Sequence, residues 1–267
     1  MPKIAFIGAG NMASAIVTGL LAQNVCVRSD LACLGGSGAS AQKLAERTGI
    51  RLAVTLESLL GGADLVVIAF KPQHLSTLHP RLSSLCEGKL VVSVLAAKTL
   101  ARLSSAFPTA RNIVRTMPNT PSAIGAGMTG WCAHAPLTSA DRDTVLGILR
   151  AIGREVEVPE AQIEALMGVS GCGPAFVFEF TAALREAGVA AGLDRSTAQM
   201  LAVQTLLGSA RLMAETGTEP ETLRNQVTSP NGTTFAGLKR LEARGFRAMM
   251  VETVNAAKAR AEELALG

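Results

Sequence analysis

Tyrosine is absent from this 267-residue chain, tryptophan occurs once, and aromatic residues make up only 3%. The first absence excludes an alcohol dehydrogenase built on a Tyr-x-x-x-Lys pair. The second argues against a stacking platform for single-stranded nucleic acid. Charge supplies no such platform either, because 25 basic against 21 acidic residues leave a net +4 and the basic residues are dispersed. That mild positive field serves solubility and can steer a phosphate or carboxylate ligand. The three histidines, His74, His79 and His134, fall in segments expected at the surface, and no His/Asp or Cys/His arrangement for nucleophilic catalysis stands out. The five cysteines (Cys26, Cys33, Cys86, Cys132, Cys172) are odd in number, scattered and without a C-x-x-C pair. They read as reduced core thiols of a cytoplasmic protein rather than disulfides or zinc ligands, and no metal site is expected. No apolar run reaches the ~18 residues a membrane span needs. The chain enters a predicted strand at Lys3 without the basic and apolar regions of a signal peptide.

What is present is apolar, 48% of the residues, enough for a sizeable core. Up to about residue 158, short apolar runs (Lys3–Gly8, Leu31–Leu34, Leu65–Phe70, Leu90–Leu95, Asn112–Thr116) alternate with amphipathic stretches such as Asn11–Ala22, Ala39–Arg47 and Gln73–Leu85. Strands alternating with helices predict a mainly parallel sheet covered on both faces. After Pro159 no β pattern remains. Helices are expected over Ile163–Ala191 with a break at Gly171–Pro174, Arg195–Thr216, Pro220–Gln226, Thr233–Arg244 and Phe246–Leu264, with Gly217 and Gly245 as C-terminal caps. The expectation is therefore an α/β chain, with a Rossmann-type dinucleotide-binding domain over 1–158 and an all-α domain over 159–267. Several of these helices are apolar on more than one face, which predicts pairing with another copy.

Ile4-Ala5-Phe6-Ile7-Gly8-Ala9-Gly10-Asn11-Met12-Ala13 reads as strand, turn and helix and fits G-x-G-x-x-[GA]. Gly8 makes the tight turn, Gly10 clears space for a pyrophosphate, and Ala13 lets the helix pack on the strand. Gly8, Ala9, Gly10, Asn11 and Met12 are thus candidate cofactor contacts. NAD sites carry an acidic residue at the end of the second strand. Here that end reads Cys33-Leu34-Gly35-Gly36-Ser37-Gly38-Ala39-Ser40, with no carboxylate. A 2′-phosphate would meet Ser37, Ser40, backbone amides and the nearby Lys43, so the cofactor reading is NADPH, with NADH as the alternative. Two more strand ends, Ala69-Phe70-Lys71-Pro72 and Leu95-Ala96-Ala97, face the same crevice and are expected to touch the cofactor.

Far along the chain, Ser229-Pro230-Asn231-Gly232-Thr233-Thr234 runs into a helix. Ser229, Thr233 and Thr234 offer hydroxyls, Gly232 permits close approach to the backbone, and the helix's first amides suit an anion. The competing reading is plain helix capping by those hydroxyls. The stretch from Gly168 to Val177 looks like the G-x-x-G-x-G-x-x-x-K signature of β-hydroxyacid dehydrogenases, but Val177 stands in place of the lysine and Thr181 in place of a later asparagine. Alcohol oxidation there lacks an acid/base residue. A protonated imine needs none, since it accepts hydride once held in place.

In these segments the chain resembles the pyrroline-5-carboxylate reductase family, along essentially its whole length. Val227–Glu242 resembles the S-P-G-G-T-T signature and its helix, Met117-Pro118-Asn119-Thr120-Pro121 the loop after the sixth strand, and Gly168–Phe178 the G-x-S-G-S-G-P-A-Y-V-F helix. Gly8–Ala13, Phe70-Lys71-Pro72 and Ser93–Thr99 resemble the NADP contacts, and Asn119 is taken with them. The resemblance implies NAD(P)H-dependent reduction of 1-pyrroline-5-carboxylate to L-proline, the last step of proline biosynthesis. It implies a substrate carboxylate on Ser229 and the amides of Gly232, Thr233 and Thr234, with the Thr234 hydroxyl at the ring nitrogen as the catalytic contact. It implies a homodimer through the helical domain, often assembled further into decamers. Departures are Ala97 for a glycine, Lys98 for an apolar residue, Cys172 for a serine, Phe176 for a tyrosine and Asn231 for a glycine. Leu95 and Ala97 are expected to crowd the nicotinamide end, and Asn231 to tolerate a left-handed backbone. Other readings are a different NADPH-dependent imine or carbonyl reductase on this scaffold, or a nucleotide-sensing protein without turnover.

Overall fold

Runs of Val, Ile and Leu buried on both faces make the central strands. The computed structural model describes residues 2–266 apart from Ser37. Its strands are β1 (Ile4–Ile7), β2 (Leu31–Leu34), β3 (Arg51–Leu52), β4 (Leu65–Ile68), β5 (Leu90–Ser93), β6 (Asn112–Met117), β7 (Gly127–Ala133) and β8 (Gly153–Glu157). They form one sheet in the order β3-β2-β1-β4-β5-β6-β7-β8. All neighbours are parallel except β6 and β7. The first six strands have the 3-2-1-4-5-6 order of a dinucleotide-binding sheet.

The covering helices are α1 (Asn11–Ala22), α2 (Ser40–Thr48), α3 (Leu56–Leu60), α4 (Pro80–Leu85), α5 (Leu100–Ala106) and α6 (Ser139–Arg150). One core cluster gathers Phe6, Ile16, Leu20, Trp131 and Ile148. A second gathers Ile7, Ile68, Leu59, Leu103 and Phe107. The stretch expected as one helix over Gln73–Leu85 is a 3₁₀ segment, Pro72–Thr77, followed by α4, since Pro80 cannot continue a helix begun before it.

Two strands and the short β3 were not anticipated. In β7 the glycines at 127 and 130 interrupt the apolar pattern, and both are required by packing. A side chain at Gly127 would strike the Ser122 hydroxyl, and one at Gly130 would strike Leu166. β8 is an exposed edge strand rich in charge, and its pairing with β7 rather than its own pattern defines it.

Past the sheet come α7 (Ile163–Leu166), a π-helical turn (Met167–Gly171), α8 (Gly173–Ala190), α9 (Arg195–Thr216), α10 (Pro220–Gln226), α11 (Thr233–Ala243) and α12 (Phe246–Leu266). Gly217 (φ 62°) and Gly245 (φ 65°) take the left-handed conformation that ends α9 and follows α11. By packing, one compact unit extends to Cys172 and takes in the chain from Ala257, and the other is Gly173–Ala256. The change of sequence character near 158 precedes that division, because residues just beyond it are held by the sheet unit. Ile163 lies in its core, and Glu160 and Glu164 pair with the buried Arg115 of β6.

In the second unit α8 and α9 pack closely at Gly188, where an added Cβ would lie 3.1 Å from Ala198. Phe178, Met200 and Val251 are among its exposed apolar residues. The helical stretch Glu160–Ala190 also has the length and mean hydropathy, 1.3, of a bilayer span. Glu179, Arg185 and Glu186 interrupt the stretch, while alanine, valine and phenylalanine raise its mean.

Candidate active site

Every described residue expected to meet the nucleotide lies in the sheet unit, and Ser229, Gly232, Thr233 and Thr234 lie in the helical unit. The dinucleotide turn has the required stereochemistry. Gly8 sits at φ 98°, and a Cβ there would lie 2.5 Å from the Ala69 carbonyl. Its amide donates to the Leu34 carbonyl at 2.8 Å, which ties the turn to β2. At Gly10 an added Cβ would have no neighbour within 4 Å, so the space a pyrophosphate needs is open. Gly10 also caps α1 with no side chain on the first-turn amides, and that turn carries no acidic residue. Ala9 and Ala13 are buried, as close helix–strand packing demands, while Asn11 is exposed and Met12 half-buried.

Ser37 lies outside the described residues. Just before it, Gly35 packs against Ala41, where a Cβ would come within 2.7 Å, whereas Gly36 faces open space. α2 begins at Ser40 with no side-chain cap and no acidic residue in its first turn. Lys43 is exposed one turn in. This polar, carboxylate-free end fits a 2′-phosphate and repels nothing in it.

The Ala69 amide donates to Ile7 at 2.8 Å, which sets Ala69 and Phe70 beside the Gly8 turn. Lys71 is exposed and Pro72 opens the 3₁₀ segment. After β5, the Leu95 amide donates to the buried Ser93 hydroxyl at 3.3 Å, and Ala97 takes φ 54°. A glycine would adopt that conformation without strain, which accounts physically for the family's residue there. Leu95 does not crowd the crevice as expected. It is buried in the core cluster with Ile68 and Leu100.

The loop's far end is anchored by two acceptors. Thr99 caps the Arg102 amide at 3.3 Å, and Glu160 accepts from the Leu100 amide at 2.6 Å. Glu160 also accepts from Arg115 at 3.0 Å. Sequence reasoning missed this support, whose only signal is an arginine inside an otherwise apolar strand. Asn119, expected at the cofactor, has both side-chain atoms engaged. Its Nδ2 donates to the Ser170 carbonyl at 3.0 Å and its Oδ1 accepts from the Met128 amide at 2.9 Å.

The second cradle is locally built. Asn231 takes the left-handed φ of 57° and Gly232 caps α11. The Ser229 hydroxyl stands where a Cβ on Gly232 would be, which explains the glycine. The Gly232 amide is used within the turn, donating to the Ser229 carbonyl at 3.0 Å. The free donors at the helix start are therefore the amides of Thr233, Thr234 and Phe235, in the first turn of α11. No side chain caps this helix, so the competing reading, capping by the loop's own hydroxyls, is not realised. Ser229, Thr233 and Thr234 are exposed.

Among the described residues no group of His, Cys, Asp or Glu is arranged to hold a metal ion. All five cysteines are free, and burial pushes the Cys86 and Cys132 thiols up to about 11. His74, His79 and His134 are exposed.

Two family models match this chain. One, described as pyrroline-5-carboxylate reductase dimerisation, covers residues 160–264. The other, described as NADP oxidoreductase coenzyme F420-dependent, covers residues 3–97. A pyrroline-5-carboxylate reductase of Synechocystis sp. is 38% identical, over 98% of both chains. The solved pyrroline-5-carboxylate reductase of Coxiella burnetii superposes with a TM-score of 0.92 at 35% identity, over 98% of each chain. The Plasmodium falciparum pyrroline carboxylate reductase, solved with NADP bound, gives 0.87 at 28% identity over 99% of this chain and 98% of its own. Likeness of this extent spans sheet and helices alike, and this chain accordingly belongs to the pyrroline-5-carboxylate reductase family of NADP-dependent oxidoreductases.

Proposed function

We infer that this enzyme reduces 1-pyrroline-5-carboxylate to L-proline. The single observation that carries the reading beyond nucleotide binding is the start of α11. There, uncapped amides and unspent hydroxyls form a cradle whose chemistry suits a carboxylate. When bound, NADPH supplies the hydride. The Gly8–Met12 turn holds the pyrophosphate, the open β2 end takes the 2′-phosphate, and Ala69–Pro72 with Leu95–Ala97 border the nicotinamide end.

The Ser229 hydroxyl and the Thr233 and Thr234 amides hold the substrate carboxylate, with Gly232 giving close access. The Thr234 hydroxyl meets the ring nitrogen. Hydride adds to the imine carbon, and the nitrogen, protonated before transfer, keeps its proton as the C=N bond becomes single. No strong general acid is needed, which agrees with a helix that carries Val177 and Thr181 in place of lysine and asparagine. The residues' task is proximity and orientation.

The division of labour is residues 1–158 for the nucleotide and 159–267 for substrate and pairing. Exposed apolar side chains on α8, α9 and α12 support a homodimer through the helices, with decamers as a further assembly. We read the Glu160–Ala190 stretch as part of that protein interface and not as a membrane segment, since the dimerisation family model spans it. The dispersed charge supports no nucleic-acid partner, and five free cysteines fit the cytoplasm.

The test mixes purified protein, NADPH and racemic pyrroline-5-carboxylate and follows loss of the reduced-nicotinamide absorbance. Turnover of that imine but not of open-chain hydroxy acids is expected. Nucleotide binding without turnover would overturn the reading.

A further inference from the structure

The break between α7 and α8 has a chemical cause. In an α-helix continuing through Ser170, that residue's carbonyl would accept from the amide four residues on, and residue 174 is proline, which has none. The chain instead forms the π-turn Met167–Gly171, closed by the Cys172 amide on the Met167 carbonyl at 2.8 Å. The Ser170 carbonyl is left without a helical partner, and Asn119 Nδ2 reaches it at 3.0 Å from a residue 51 positions earlier.

The orientation of the Asn119 amide is unambiguous, because its two partners differ in kind. An N–H group (Met128) must meet the oxygen and a carbonyl (Ser170) must meet the nitrogen. Asn119 also stands at the N-cap of the 3₁₀ turn Thr120–Ile124, where asparagine ordinarily accepts from its own helix. It makes no such cap. Its hydrogen bonds are given to β7 and the π-turn instead. From the other side, Met117 at the end of β6 presses on the same turn, and a Cβ at Gly171 would lie 2.8 Å from Met117 Cε and 2.9 Å from Met167 Cγ. Three segments, the β6 end, the β7 start and the π-turn, thus meet at one side chain on the carboxyl edge of the sheet.

We propose that Asn119 is a positioning residue rather than a nucleotide ligand, and that its amide replaces the donor Pro174 lacks and so holds the π-turn against the rim of the nucleotide crevice. Its effect on turnover rests on the reductase reading above. Its effect on the turn does not.

The experiment compares full-length wild type, Asn119→Asp and Asn119→Ala. Asn119→Asp keeps the acceptor for Met128 but sets an anionic oxygen against the Ser170 carbonyl, so its effect should equal or exceed that of Asn119→Ala. Should the aspartate variant not fold, the milder alanine variant carries the same comparison. Three quantities are read: amide hydrogen exchange in peptides spanning 163–176, the NADPH dissociation constant by nucleotide fluorescence, and kcat with KM for both substrates. Exchange in the turn should quicken by about five- to tenfold, the size of one lost hydrogen bond. The NADPH constant should move less than about twofold, while kcat falls. A tenfold weaker NADPH constant with unchanged exchange would make Asn119 a nucleotide contact and overturn the proposal. Unaltered exchange and kcat would overturn it equally. If wild type does not reduce pyrroline-5-carboxylate, the reductase reading fails, and the exchange and nucleotide-binding arms still judge the role of Asn119.

Discussion

Arg115 Nη2 and Glu164 Oε1 stand 2.5 Å apart, with the arginine side chain 3% and the glutamate 12% exposed. Glu160 completes the cluster from the other guanidinium nitrogen and carries it on to the Leu100 amide. A strand of the nucleotide sheet, the loop after β5 and the start of the C-terminal chain are thereby joined through one buried cation. Burying such charges is costly unless all are paired, so the cluster behaves as a unit.

Arg115→Met should lower the free energy of unfolding by about 3–5 kcal/mol, because it strands the buried Glu164 carboxylate. Replacing Arg115, Glu160 and Glu164 together by apolar residues of like volume should cost much less. Urea denaturation of the two variants measures the difference. Equal losses in both would mean that packing, not uncompensated charge, dominates at this site.

Cofactor choice is testable at Gly36. An added Cβ there meets nothing within 4 Å, whereas at Gly35 it would come within 2.7 Å of Ala41. Gly36→Asp should shift the ratio of NADPH to NADH affinity towards NADH by about tenfold, through repulsion of the 2′-phosphate. Titrating both nucleotides against the variant checks it, and an unmoved ratio would place the phosphate elsewhere.

Thr234→Ala should lower kcat/KM by roughly 10- to 100-fold, the loss of one hydrogen bond to a charged group. Thr233→Ala retains its amide and should lose less. Steady-state kinetics on both variants decide the assignment, and a full-rate Thr234→Ala enzyme removes that hydroxyl from the mechanism.

Asp141 accepts from Arg111 at 2.6 and 3.1 Å, and these bonds hold its carboxyl below the usual aspartate range. A group with a depressed folded pKa contributes stability in full above its unfolded value and loses it as pH falls through the folded one. Wild type should therefore lose stability on acidification below the ordinary aspartate range more steeply than Asp141→Asn. Urea midpoints measured down that pH range for both proteins test the sign. Parallel curves would show that the Asp141 carboxyl titrates alike in the folded and unfolded chain, so that the pair adds no pH-dependent stability.

Local chemistry by itself determined much of this protein. The Gly8–Ala13 turn, the capping glycines at 217 and 245 and the cradle from Ser229 to Thr234 are set by backbone preferences within a few residues, so they are readable in order along the chain. Even the left-handed Asn231 follows from its type. What only the tertiary structure decided lies in partners distant in sequence. β7 and β8 are strands because neighbours complete their ladders, and the glycines at 127 and 130 yield to Ser122 and Leu166. Arg115 is tolerable in the core only because Glu160 and Glu164 arrive 45 and 49 residues later. Asn119 carries nothing in its own loop to distinguish a nucleotide contact from a structural clamp. On the proposal above, its use follows from a proline 55 positions away in the sequence that withholds an amide, because a carbonyl left without its helical donor takes one that the fold provides.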